Sequence, residues 1–149
     1  MKIDVNMRSA RTQDLAACAD ILNEWIDDTE WMPRIHSAKD VVNHYRNVVY
    51  RDRKILVVAA EERVVGMMAL SKDQTVTALY VKKEFRNQGV GHLLIEAAKR
   101  EYPNQLQLWT FQKNIQALKF YQREGFVEIN RTDGDNEENL PDVMMEWRG

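Results

Sequence analysis

Hydrophobic and polar positions follow patterns that predict a mixed set of strands and helices. Strict alternation near the start indicates a half-buried strand through Ile3, Val5 and Met7. Apolar residues at helical spacing then predict two helices. Thr12 is a plausible N-cap for the first and Ser37 for the second, because both hydroxyls can accept from a free backbone N–H group.

The rest of the chain continues with β-rich runs and two further helices. Residues 54–60 and 64–70 flank a short polar segment, as in a hairpin, and a third β-rich run follows at 75–81. Five more segments predict, in order, a helix, a strand, a helix and two strands: 89–102, 106–110, 114–124, 126–129 and 143–147. The order β-α-α-β-β-β-α-β-α-β-β predicts an α/β fold, a mixed sheet with helices on both faces.

Composition narrows the class of protein. The length of 149 residues suits one domain, 1–149, that can bury its own core. The net charge of -2 argues against a nucleic-acid partner, and the longest apolar runs are too short to span a membrane. The first residues lack the apolar stretch of a secretion signal, and the single Cys18 cannot pair within the chain. We therefore expect a cytoplasmic location.

The stretch FRNQGVGHLL combines a cation with two glycines at a predicted helix start. The first N–H groups of a helix attract anions, and Gly89 and Gly91 remove side chains that would keep a phosphate away. Arg86 adds a positive charge beside them. The same pattern is typical of a tight turn with close helix packing, and by itself it does not decide between the two. It is neither a dinucleotide fingerprint nor a P-loop.

A second motif, NIQALKFYQREGF, predicts a helix with a tyrosine on its apolar face. Asn114, Ala117 and Tyr121 share one face, and Gly125 is a good C-terminal cap before Phe126. By itself the motif is typical of a capped amphipathic helix with a core tyrosine.

Together the two motifs resemble the GNAT (Gcn5-related N-acetyltransferase) superfamily. The residues similar to its acyl-CoA signature are Leu79, Val81, Arg86, Gly89, Val90, Gly91, Leu93 and Leu94. Lys83 departs from the proline of many members. The resemblance implies a mixed, mostly antiparallel sheet of about seven strands, splayed between strands 4 and 5, with four helices on both faces. It also implies that family members often dimerise, so a homodimer is possible.

The resemblance further implies acetyl-CoA as co-substrate and no metal. The backbone of the fourth strand would pair with pantetheine, the N–H groups at the helix start would hold the pyrophosphate, and Asn114 would contact the pantetheine arm or its neighbouring backbone. The implied cofactor-binding residues are Leu79, Tyr80, Val81, Arg86, Asn87, Gln88, Gly89, Val90, Gly91, His92, Asn114 and Tyr121.

The chemistry of acyl transfer to an amine indicates which groups would be catalytic. A backbone N–H near Leu79 or Tyr80 would stabilise the negative charge that develops on oxygen. Tyr121, near its usual pKa of ~10, stays protonated and can give a proton to the leaving thiolate. The fourth strand carries no carboxylate, so the general base must come from elsewhere or act through water. Glu30 and His36 are candidates, although the segment that carries them can also be a plain solvated connection.

Two more features bear on the acceptor. Arg34, in the same connection, could bind a carboxylate of the acceptor. The acidic segment 131–142 is either a solvated loop or an acidic rim that attracts a cationic amine. We expect a small-molecule amine as acceptor. The alternatives are a protein N-terminus or lysine, and a regulatory domain that binds acyl-CoA without turnover.

Overall fold

The computed structural model describes residues 4–149, so the predicted strand position Ile3 lies outside the described residues. This part of the chain forms seven strands and four helices. The strands are β1 (Val5–Ser9), β2 (Lys54–Ala60), β3 (Arg63–Leu70), β4 (Val76–Val81), β5 (Gln105–Phe111), β6 (Val127–Arg131) and β7 (Asp142–Arg148). The helices are α1 (Leu15–Asp28), α2 (38–52), α3 (Val90–Glu101) and α4 (Ile115–Arg123). No helix of the described residues is long and apolar enough to cross a membrane.

The start of α1 differs from the prediction that Thr12 caps it. Thr12–Asp14 form a 3-10 turn instead, and the Asp14 carboxylate accepts the Arg11 N–H at 2.7 Å. The same carboxylate accepts two hydrogen bonds from the Arg8 guanidinium, at 2.6 and 3.1 Å. A buried carboxylate that is paired with a cation and also accepts a backbone N–H is a stronger organiser of the turn than a threonine hydroxyl.

The predicted cap of α2 is confirmed. The Ser37 hydroxyl accepts the Asp40 N–H at 3.1 Å. The helix runs as Ala38–His44, continues through a π-helical turn at Tyr45–Val49, and ends with Tyr50–Asp52. Tyr45, at the start of the π turn, is buried against α1 and the sheet.

Helices cover both faces of the first sheet, as predicted. Neighbouring residues of a strand point to opposite faces, and here both faces carry apolar side chains that the helices bury. The face toward α1 and α2 carries Val57, Met67 and Ala69. The face toward α3 carries Val58, Met68 and Leu70. Cys18 is fully buried in the core beneath α1, as its place on the apolar stripe predicted.

The strands form two sheets that meet at one point. One sheet has the order β1-β2-β3-β4 and the other β5-β7-β6, and all neighbours within each sheet are antiparallel. Between β4 and β5 the described residues form a single parallel bridge, Thr75 to Gln107. The Gln107 N–H donates to the Gln74 carbonyl at 3.0 Å. Past this point β4 and β5 separate, which confirms the predicted splay.

Candidate active site

The gap between β4 and β5 opens into two cavities on opposite faces of the splayed sheets. The first has a volume of about 590 Å³ and lies between the end of β4, the start of α3 and α4. The second, of about 600 Å³, is lined by α1, α2, the end of β5 and the loops that follow α1 and β6. Trp25 and Tyr80 line both cavities, so the two spaces meet at these rings.

The β4 edge presents free backbone groups to the gap. Across the antiparallel β3–β4 pair, the Lys82 N–H donates to the Val65 carbonyl at 2.7 Å. Residues of an antiparallel ladder alternate between bonded and non-bonded pairs. The N–H and C=O groups of Tyr80 therefore face β3, whereas those of Leu79 and Val81 face the gap. Of the two backbone donors named from the sequence, Leu79 is the one that points into the cleft.

Arg86 joins the β4 edge to the loop before α3. Its Nε donates to the Val81 carbonyl at 3.0 Å, and its side chain lines the first cavity. This bond leaves the other guanidinium donors for an anion. Arg86 thus fixes the end of β4 and adds positive charge to the cavity at the same time.

The two glycines of FRNQGVGHLL do different things. Gly89 has φ +86°, and a Cβ placed there would meet nothing within 4 Å, because it would stand in open space beside the cavity. A Cβ on Gly91 would lie 3.0 Å from Cζ of Phe120 on α4. Gly91 therefore permits close helix packing and Gly89 keeps the α3 start open. The close helix packing that the sequence offered as one alternative is observed at Gly91, and the phosphate site at Gly89 stays a prediction.

The N-terminus of α3 offers backbone donors to the first cavity. Within residues 4–149, no backbone or side-chain group accepts a hydrogen bond from the N–H groups of residues 88–91. The Gln88 side chain turns away and donates to the Glu84 carbonyl at 3.0 Å, and the Val90 side chain is buried in the core. These two predicted binding residues can therefore act through their backbone. Free N–H groups and the helix dipole make this end attractive to phosphate.

Tyr121 lies where α4 borders the first cavity, and it is 8% exposed. Its ring packs edge-on between Phe120 and Phe126, with centroids 5.2 and 5.6 Å away. No hydrogen bond within residues 4–149 uses its hydroxyl. Burial raises the pKa of Tyr121 above its usual value, so the phenol keeps its proton at neutral pH.

Asn114 and His92 also line the first cavity. The Asn114 carboxamide caps α4 by accepting the Ala117 N–H at 3.2 Å. His92 Nδ1 lies 2.7 Å from Oε1 of Glu124. The ligand atoms of this pair lie within 4.8 Å of those of Glu96. Lys99 already supplies a cation there, because its Nζ donates to the Glu124 carbonyl at 2.7 Å.

Four aromatic rings form a chain of contacts across the gap between β4 and β5, and two of them, Trp25 and Tyr80, line both cavities. Tyr80 of β4 packs on Trp25 of α1 at 5.4 Å between centroids. Trp25 packs on Trp31 at 5.8 Å, and Trp31 packs on Phe111 of β5 at 5.9 Å. We call these four rings the aromatic bridge. The resemblance named Tyr80 as a donor-binding residue, but the sequence gave no sign that it packs on Trp25 or that Phe111, from a distant segment, packs on Trp31.

The structure separates the two candidate bases. His36 lines the second cavity and contacts the Glu137 carboxylate across two loops. Glu30 is exposed and lines neither cavity. The acidic segment before β7 brings Glu137 and Glu138 to the second cavity, which agrees with an acidic rim. Which carboxylates of that segment face inward could not be read from the sequence.

Arg34 does not line the second cavity and its guanidinium is paired within the chain, so the structure does not support the prediction that it binds a carboxylate of the acceptor. Its Nε and Nη2 donate to Oδ1 of Asp27 at 3.2 and 2.9 Å. Its Nη1 donates to Oδ1 of Asn23 at 3.1 Å and to the His36 carbonyl at 2.9 Å. These hydrogen bonds engage the guanidinium donors and hold the loop after α1 against that helix.

Comparison with known proteins identifies the family of the chain. Residues 23–148 match the family model described as an acetyltransferase (GNAT) domain. Peptidyl-lysine N-acetyltransferase YiaC of Escherichia coli (strain K12) is 26% identical over 144 residues, which cover 95% of each chain.

Solved structures show the same fold. The solution structure of apo YjaB from Escherichia coli has a TM-score of 0.80 at 24% identity, over 99% of both chains. The structure of YncA from Salmonella typhimurium, determined with its cofactor acetyl-CoA, has a TM-score of 0.75 at 18% identity, over 97% of this chain and 94% of that one. Both motifs, the splayed strands and the family match lead to one conclusion. The chain belongs to the GNAT family and is an N-acetyltransferase that takes its acetyl group from acetyl-CoA.

Proposed function

We propose that the chain transfers the acetyl group directly from acetyl-CoA in the first cavity to a primary amine in the second. One observation carries the proposal: the cavities lie on opposite faces of the same gap and share Trp25 and Tyr80. Donor and acceptor can therefore meet without an acetylated enzyme. Cys18, the one cysteine, is fully buried, and burial raises its pKa to about 12, so it is a poor nucleophile.

The first cavity fits the donor from one end to the other. The free N–H groups at the start of α3, with the remaining donors of Arg86, suit the pyrophosphate. The outward N–H and C=O groups of Leu79 and the outward N–H of Val81 suit the amides of pantetheine by strand-like pairing. When bound, acetyl-CoA supplies the thioester, and its reactive end would lie beside the aromatic bridge.

Two groups of the chain assist the transfer in this proposal. The amine nitrogen attacks the thioester carbonyl, and the Leu79 N–H stabilises the charge that develops on its oxygen. As the carbon–sulfur bond breaks, the Tyr121 hydroxyl donates a proton to the sulfur, and the proton that the attacking nitrogen loses passes through water and restores the phenol. A positioned proton donor contributes about 10²–10⁴-fold to such a step. The other predicted contacts, from Asn87, His92 and Asn114, hold the donor in place.

For the acceptor we propose first the side chain of a peptidyl lysine. The name of YiaC records that activity for a relative that matches along nearly its whole length. At the second cavity, Ile35 and Trp109 are each 46% exposed. Large apolar side chains exposed beside a cavity suit a partner surface, here the residues on either side of the lysine. A single lysine arm would then reach toward Tyr80.

A free small-molecule amine is the second candidate. The contact between His36 and Glu137 joins two loops that both line the second cavity. Because these loops contact each other, they partly close the cavity. A small amine that fits inside would be accommodated more easily than a polypeptide that must cross the loops. The two candidates differ in the size of the acceptor and share the same chemistry.

The proposal is tested by thiol release from acetyl-CoA with two sets of acceptors. One set is short peptides with a blocked N-terminus and a central lysine, each paired with an arginine control. The other is free alkylamines, diamines and arylalkylamines. We expect release with lysine peptides, acetylation of the lysine nitrogen by mass spectrometry, and none with the arginine controls. Release with free amines alone would favour the second candidate, and no release from either set would contradict amine acetylation.

A further inference from the structure

The second cavity combines apolar walls with negative charge and few cations. Its aromatic side includes Trp25, Tyr80 and Phe111 of the aromatic bridge, with Trp109 beside them. Its carboxylates are Asp40, Glu137 and Glu138, and its other titratable groups are His36, His44, Tyr45 and Tyr80. Within residues 4–149, no arginine or lysine lines this cavity. A ligand with positive charge and a hydrocarbon stem matches this lining.

The three carboxylates are not equivalent. Asp40 is exposed in the first turn of α2, and the Glu137 side chain is 55% exposed and contacts His36. Glu138 is half-buried. Burial raises the pKa of Tyr80 to about 12, and the negative charge of Glu138 adds to the rise. Glu138 and Tyr80 line the same cavity, and Tyr80 also lines the first cavity, so Glu138 is the half-buried carboxylate of the space that opens onto the donor side.

We propose that Glu138 determines acceptor specificity by binding the ammonium group of the incoming amine beside Tyr80. The hydrocarbon stem packs against the aromatic side of the cavity, and attack follows once the ammonium has lost its proton. The inference rests on the proposed function, since it concerns the acceptor of that reaction.

The same charges select against acidic acceptors. An amine with a neighbouring carboxylate, such as a free α-amino acid, would bring its negative charge close to Glu138. Arg34, the cation nearest in sequence to His36, is fully engaged with Asp27 and Asn23 and cannot compensate. An unpaired carboxylate in a partly buried site is costly. The acceptor class is therefore a primary alkylammonium whose amine carries no adjacent carboxylate.

The test compares the wild-type chain with Glu138→Gln and with Asp133→Asn as a matched control. Asp133 is an exposed carboxylate of the same loop that does not line the cavity. Acceptors are a lysine peptide or alkylamine that is cationic at assay pH and a weakly basic fluorinated alkylamine that is neutral there. For Glu138→Gln we expect kcat/KM with the cationic acceptor to fall about tenfold or more, mainly through KM, and less at high salt. With the neutral amine it should not change.

Glu138→Asp and calorimetric binding of acetyl-CoA separate specificity from folding. The aspartate variant keeps the charge and should recover part of the lost kcat/KM, and donor affinity should stay at the wild-type value in all three variants. An equal loss with cationic and neutral amines, or no loss with either, would overturn the role of Glu138 and leave the proposed function standing. A wild-type chain that binds acetyl-CoA but acetylates no amine would overturn the proposed function and this inference with it.

Discussion

Replacing Tyr121 with phenylalanine removes one hydroxyl from the cleft and leaves the ring in place. The ring keeps its packing between Phe120 and Phe126. Within residues 4–149 the hydroxyl makes no hydrogen bond, so none is lost with it. We therefore expect the free energy of unfolding to change by less than about 1 kcal/mol. The change isolates the proton donor of the proposed reaction.

The catalytic effect follows from the role of the hydroxyl. Loss of a positioned proton donor lowers kcat about 10²–10⁴-fold, which corresponds to ~3 to 5 kcal/mol of barrier. Because burial raises the pKa of Tyr121, the wild-type phenol stays protonated through neutral and mildly alkaline pH. The ratio of the two kcat values should therefore stay constant over that range. The KM for acetyl-CoA should change little, because a hydroxyl that acts on the leaving sulfur adds little to binding.

The assay is thiol release at saturating donor and acceptor, with melting temperature and acetyl-CoA binding measured alongside. Tyr102→Phe is the matched control. The Tyr102 hydroxyl donates to the Ser71 carbonyl at 3.2 Å and lines neither cavity. We expect this control to lose about 1 kcal/mol of stability and no activity. If Tyr121→Phe keeps the wild-type kcat at every pH while the control behaves as expected, Tyr121 is not the acid.

Three further outcomes follow from the structure. Gly89→Ala should lower the free energy of unfolding by about 1–2 kcal/mol, because residue 89 has a positive φ, and it should also weaken acetyl-CoA binding measured by calorimetry. Gly125→Ala, at a residue with φ +95° that does not line the cavity, should lower stability alone. Equal acetyl-CoA affinity in the two variants would count against a phosphate site at Gly89. Asp14→Asn should lower the free energy of unfolding in urea by about 2–3 kcal/mol, because it leaves the partly buried Arg8 guanidinium without its charge partner. A loss no larger than that of an Asp→Asn change at an exposed position would contradict this. The free energy of unfolding should be constant up to about pH 9 and fall as pH rises toward 12. The reason is that burial raises the pKa of Cys18 from 9.0 and that of Tyr80 from 10.0, each to about 12, so the unfolded chain loses these protons first. A urea midpoint that does not change up to pH 11 would contradict this pH dependence.

Local sequence patterns predicted most of the elements. Strand β2 has the predicted bounds, and α3 begins and ends one residue inside the predicted range. Ser37 acts as the cap that its position before an apolar run indicated. These features depend on neighbours within a few residues, so periodicity and turn chemistry are enough to find them.

Features that depend on distant neighbours were not predictable from the pattern. Thr12 does not cap α1, because a 3-10 turn precedes the helix and Asp14 holds that turn to the Arg8 guanidinium from β1. Arg34 turned to Asp27 on α1 rather than to the cavity. Likewise, the aromatic bridge assembles from three separate segments, 25–31, β4 and β5. The acidic loop was visible in the sequence, but only the folded chain shows that Glu138 lines the second cavity together with Tyr80.

The site predictions divide in the same way. The motif residues around Gly89 and Tyr121 gather at one cavity because the motif fixes the local turn and helix that hold them. Most residues of the second cavity lie outside both motifs. His36 reaches the second cavity and Glu30 does not, although both lie in the same loop.

Direct transfer across the gap is tested most plainly by initial velocities measured while acetyl-CoA and a lysine peptide are varied together. A direct reaction needs both substrates bound at once, so double-reciprocal plots should intersect. Mass spectrometry of the chain incubated with acetyl-CoA alone should show no acetylated form that passes its acetyl group to the peptide. Parallel plots together with such an acetylated chain would contradict direct attack across the shared wall of Trp25 and Tyr80.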